Sequence, residues 1–135
     1  MANTLYDKAR ERFARGQFNW ETDTIKVCLV DKNIYSPNFT AHEFLSDVSQ
    51  SAIVAPGVAL TNKTATGGAC NANNVTFAAV TGNECEALII YKDTGDAATS
   101  PLIAQIDSAT GLPITPNGGD IIVQWDTGAN KIFRL

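Results

Sequence analysis

A chain of 135 residues, 44% hydrophobic and with a net charge of −4, suits one domain with a substantial core. Its longest apolar run, Ala87 to Tyr91, falls far short of the roughly twenty residues of a membrane helix. Residues 1–15 are too polar for a secretory signal, so neither membrane insertion nor export is expected, and synthesis in a cytoplasm is.

Charge is unevenly divided. Residues 1–20 carry Lys8, Arg10, Arg12 and Arg15 against Asp7 and Glu11, a balance of +2; the remainder carries a balance of −6. An acidic body disfavours nucleic acid as the main partner.

Thr4 suits a helix N-cap, with Asp7 three residues on. Leu5, Ala9 and Phe13 follow at helical spacing with Tyr6 beside them, and Gly16 suits the C′ position that ends the helix. So short a helix needs something to pack on. Residues 24–30 read as a strand, with Ile25, Val27 and Leu29 on one face and Lys26, Cys28 and Val30 on the other. Residues 31–38 form a loop. Thr40 and Glu43 match a capping box, predicting a second short helix with Phe44, Leu45 and Val48 inward.

Strands are expected at 52–55, broken by Pro56-Gly57, and at 58–64. Val75, Phe77 and Ala79 alternate in another. From Ala87 onward, apolar runs alternate with Gly, Asp, Asn and Pro clusters, predicting an antiparallel meander whose last two strands pair through Asp126-Thr127-Gly128. Trp125 and Phe133 would then face each other across that hairpin. The expected fold is mainly β, an antiparallel sandwich or open barrel with two short helices, in a single domain 1–135.

The residue types that carry chemistry are sparse. Asp93-Thr94-Gly95 and Asp126-Thr127-Gly128 both match the aspartic-protease triplet. They are too close for two lobes, and too little chain follows the second to buttress it, so both read as turns. The sole histidine, His42, has no evident nucleophile spacing to Ser46, Ser49 or Cys28. Asp93 and Asp96 make at best a weak Ca²⁺ turn. Cys28, Cys70 and Cys85 are odd in number and lack metal-site spacing, which predicts reduced thiols. No enzyme activity, catalytic residue, cofactor or metal is expected.

Several segments resemble a recurrent small protein of tailed phages and prophages. They are Tyr6-Asp-Lys-Ala-Arg10 with Phe13, Asp23-Thr-Ile-Lys26, Leu29-Val-Asp31 and Phe44-Leu-Ser-Asp47 in the first half. The second half adds Tyr91-Lys-Asp-Thr-Gly95, Gly111-Leu-Pro113, Thr115-Pro-Asn-Gly-Gly-Asp120 and Gly128-Ala-Asn-Lys-Ile-Phe133. The resemblance spans nearly the whole chain and implies a virion structural protein without catalytic residues to carry over. Within it, a capsid decoration (cement) protein on the major capsid protein shell is the first expectation, as a homo-oligomer and foremost a trimer. A tail, neck or fibre-base component is the alternative. A receptor- or glycan-binding β-sandwich, with exposed aromatics near Tyr35 and Phe39, is a further one. The expected attachment element is the segment 1–16, through Leu5, Tyr6, Lys8, Arg10, Arg12, Phe13 and Arg15, either folded back on its own body or reaching across to a neighbour.

Overall fold

The computed structural model describes residues 4–107, 112–125, 127–128 and 131–135. Its centre is β2 (Ile25–Val30), a β-branched run that the sheet uses on both faces. Strand β2 pairs in continuous antiparallel register with β6 (Ala87–Lys92), from Ile25↔Lys92 to Val30↔Ala87. Strand β6 forms a hairpin with β7 (Leu102–Ile106). On the far side of β2 lies β3 (Ile53–Ala59), and beyond β7 lies β1 (Thr4–Leu5). The five-stranded antiparallel sheet therefore runs β1-β7-β6-β2-β3.

Leu102 to Ile106 is buried throughout, and so is β6 except at Lys92, so both faces of the central strands are covered. Both faces of β2 are covered as well: Cys28 and Val30 are as buried as Val27 and Leu29.

Pro56-Gly57 does not break the strand at 52–55. The register steps from Val27↔Val58 to Leu29↔Ala55, so Cys28 stands opposite both Pro56 and Gly57, a β-bulge. Because β3 is an edge strand, the missing N–H of Pro56 costs no ladder bond on a further neighbour. Gly57 is required by a close approach: a Cβ there would collide with the Tyr91 hydroxyl.

The meander does not continue past β7. Strand β8 (Ile121–Val123) pairs with β5 (Val75–Phe77), and β9 (Phe133–Arg134) pairs with β4 (Ala69–Cys70). Trp125 and Phe133 are both buried, but they are not a cross-strand pair: Phe133 pairs with Cys70, and Trp125 lies beyond the end of β8. Asp126, Ala129 and Asn130 of the expected hairpin lie outside the described residues. Ala79 leaves the alternation begun by Val75 and Phe77: it is exposed with a φ of +49°.

Two helical expectations also change. The first helix, α1, is Asp7–Ala14, not a helix from Thr4. Thr4 and Leu5 are instead drawn into the sheet against Gln105 and Ala104, and the Tyr6 N–H extends that pairing to the Ile103 carbonyl. The end is as expected, with Gly16 at a φ of +71° and its N–H on Phe13. The capping box at Thr40 does not form. Asn38 captures the N–H groups of Thr40 and Ala41, making a turn. The helical part shrinks to a 3₁₀ turn at Leu45–Asp47, whose Asp47 carboxylate accepts the N–H groups of Glu43 and Phe44. The architecture is thus mainly β, with one α-helix and no closed barrel among the described residues.

Candidate interface at the N-terminal helix

The segment singled out for attachment is divided by the fold. Leu5 is 7% exposed and Tyr6 is fully buried, so Tyr6 is not available at the surface and Leu5 shows only a small part of its side chain. Helix α1 lies against β7 with Ala9 inward, in cis on its own body. Its entry is fastened by the Asp7 N–H on the Phe39 carbonyl and by the Tyr6 ring tilted against Phe39 at 5.1 Å.

The charges fall on the outer side. Lys8 and Arg15 both reach Glu11, at 3.5 and 3.4 Å, and Arg10 reaches Asp7 at 3.3 Å. Such exposed i,i+3 and i,i+4 pairs hold their partners weakly. Arg12 is different: it binds Glu43 at 2.6 Å and lies over the Phe44 ring at 5.5 Å, clamping α1 to residues 43–44. Phe13 is half-buried and joins an aromatic group with Phe18 at 5.0 Å and Phe133 at 6.2 Å, which Trp20 completes at 5.2 Å from Phe133.

Between α1 and the last residues of β9 lies a groove of about 450 Å³, lined by Leu5, Arg10, Phe13, Ala14, Arg134 and Leu135. Four of these residues are apolar and two are arginines. Sequence reasoning placed Leu5, Arg10 and Phe13 in the contact set but missed Arg134 and Leu135. They are over a hundred residues away, and only the pairing of β9 with β4 brings them beside α1.

Behind this surface runs a hydrogen-bond chain that no spacing announced. The Tyr6 and Tyr35 hydroxyls are 2.7 Å apart, and the Tyr35 hydroxyl is 2.8 Å from His42 Nδ1. The Asn38 backbone N–H also points at Nδ1, at 3.1 Å. An amide N–H only donates, so Nδ1 is the acceptor and the ring proton belongs on Nε2. Tyr35 then donates to His42, and Tyr6 donates to Tyr35. Burial pushes the Tyr35 phenol up to about 12 and Tyr6 further still. His42 therefore fastens a turn; Ser46, Ser49 and Cys28 are not among its hydrogen-bond partners. Tyr35 is buried and Phe39 is packed on Tyr6, so the two do not form an exposed aromatic platform.

The first aspartate triplet is a turn. Asp93 accepts the Gly95 N–H at 3.0 Å and binds Lys26 at 2.8 Å, which together hold its carboxyl below the usual range. Gly95 supplies a φ of +89°. Asp96 receives the Ala98 N–H, and the Thr94 hydroxyl bonds those of both Thr99 and Ser100, closing the loop on itself. Asp126 of the second triplet lies outside the described residues. All three cysteines are buried free thiols; burial pushes Cys28 up to about 12 and Cys70 and Cys85 to about 11, so they remain protonated. Among the described residues no helix is long and apolar enough to cross a membrane. No family model matches the chain, and no curated protein matches it in sequence.

Proposed function

We propose that this chain is a structural protein of a tailed-phage or prophage virion, and within the particle a capsid decoration protein bound to the outer shell of the major capsid protein. The likeness of its segments to small virion proteins, from Tyr6 to Phe133, supports the reading. The observation that carries it on the geometric side is the groove beside α1, lined by apolar residues and two arginines on a chain of net charge −4. Among the described residues, the groups that would suggest chemistry are engaged internally: Asp93 and His42 hold turns, and the thiols are buried. What this leaves at the surface is a place to dock.

The reading extends to architecture and assembly. The two short ladders, β4–β9 and β5–β8, serve as the second layer of a sandwich over the five-stranded sheet. The protein works in multiple copies, foremost as a trimer across seams of the shell, where weak single contacts add through multivalency.

The test is quantitative mass spectrometry of purified particles, with electron cryomicroscopy to locate the protein. A copy number in fixed proportion to the major capsid protein, with density on the shell, supports decoration. A few copies confined to the tail or neck would replace it with the tail reading. Absence from the particle would end the virion assignment.

A further inference from the structure

The groove beside α1 has a composition that specifies its occupant. Leu5, Phe13, Ala14 and Leu135 give it apolar walls, and Arg10 and Arg134 are its polar lining; among the described residues no acidic side chain lines it. The Arg10 guanidinium is committed only to an exposed partner, Asp7 at 3.3 Å, and Arg134 makes no salt bridge among the described residues. Two arginines beside an apolar trough complement an anionic ligand with an apolar side chain. The volume, about 450 Å³, accommodates a few side chains rather than a whole domain.

The trough has a firm base. Phe13 is locked into the core through Phe18 and Phe133. The opposite wall is fixed where the Leu135 N–H bonds the Gly68 carbonyl at 2.9 Å. Gly68 has a φ of +84°, and a Cβ there would press on the Leu135 carbonyl at 3.2 Å. The site is therefore preformed, which lowers the ordering cost of binding.

We propose that this groove binds a short acidic–aliphatic segment of a partner protein, an apolar side chain entering the trough while flanking carboxylates engage Arg10 and Arg134. The inference deepens the docking role proposed above, and in the particle that partner is a neighbouring virion protein. The commitment to a protein segment rests on charge complementarity: the apolar lining asks for apolar surface and the two arginines for carboxylate, and one peptide carries both.

The experiment uses the full chain and two fluorescein-labelled peptides, one alternating leucine with glutamate, the other leucine with lysine. Binding is read by fluorescence anisotropy at low and high salt. The acidic peptide should bind, more weakly at high salt, and the basic one should not. Arg10→Glu with Arg134→Glu should weaken binding by about tenfold or more. Ala14→Trp, which fills the trough from an exposed position, should do the same without changing charge. Circular dichroism checks that both variants keep their fold; if either loses it, Arg10→Ala with Arg134→Ala and Ala14→Leu take their places. Binding of neither peptide, equal binding of both, or binding unchanged in both variants would overturn the proposal. So would concentration-dependent self-association in sedimentation that Ala14→Trp abolishes, because the occupant would then be a second copy. Peptide binding that behaves as expected in a protein absent from virions would leave the groove standing and remove only the virion reading.

Discussion

The central strands and the wrapped ends of this chain are built on different principles. In β2, β6 and β7, runs of five or six residues pair in extended ladders, and almost every side chain is buried. Backbone hydrogen bonds and apolar surface coincide there. In the wrapped ends the ladders are two or three residues long, and irregular chain is held by individual anchors. The Trp20 Nε1–H bonds the Asn71 carbonyl at 3.0 Å, and the Trp125 Nε1–H bonds the Asn73 carbonyl at 2.9 Å. Two tryptophans from distant parts of the chain thus pin the same strip. Where a ladder is too short to hold itself, large side chains with one polar atom take over.

If the ends depend on anchors, removing one should cost as much as a core deletion. Phe133→Ala deletes the ring between Phe13 and Trp20. It should destabilise the protein by about 3–5 kcal/mol in urea unfolding. A loss under about 1 kcal/mol would mean that the β4–β9 ladder stands without its aromatic anchor.

The hydrogen-bond chain beneath α1 offers a second way to sharpen the contrast. Tyr35→Phe strands the buried Tyr6 hydroxyl and should cost about 1–3 kcal/mol. Nuclear magnetic resonance would show whether the disturbance spreads to α1 through Phe39. An unperturbed α1 would mean that the helix is held by β7 and Arg12 alone.

In the sheet, the sensitive point is a packing contact. Gly57→Ala should cost about 1–3 kcal/mol by forcing the Tyr91 hydroxyl aside. In a Tyr91→Phe background the penalty should shrink, a coupling that a double-mutant cycle measures. Equal penalties in both backgrounds would mean that the strain lies in the bulge backbone instead.

The smallest expected effect is in acid. The N–H groups of Glu43 and Phe44 hold the Asp47 carboxyl below the usual carboxylate range. A depressed folded value means that Asp47 contributes stability above about pH 4, and that this is lost as pH falls through the folded value. Asp47→Asn keeps an acceptor but removes the titration. The advantage of the native chain over this variant should therefore be full at neutral pH and shrink in acid, as urea midpoints at several pH values would show. A gap independent of pH would assign the effect of Asp47 to geometry rather than charge.

Much of the local structure was legible in the sequence because it depends on neighbours in the chain. Strands β2, β6 and β7 follow from β-branched runs between turns, the Asp93–Gly95 turn from Asp and Gly chemistry, and the end of α1 from Gly16. The basic face of α1 was readable from its charges. Local rules misled where a competitor sat far away in sequence. Thr4 is a good N-cap, but β7 offered Leu5 a strand partner and the helix began later. Thr40 matches a capping box, but Asn38 took the N–H groups first. Pro56-Gly57 looks like a strand break, but an edge position lets the chain absorb it as a bulge. Strand pairing decided the rest: β8 joins β5 and β9 joins β4, because burying Phe77, Trp125 and Phe133 requires chain from the middle of the sequence. The same pairing brings Arg134 and Leu135 beside Phe13 and creates the groove. The sequence determined which residues extend, turn and carry charge; only the tertiary structure decided which of them meet, since non-local contacts depend on the whole core and not on spacing.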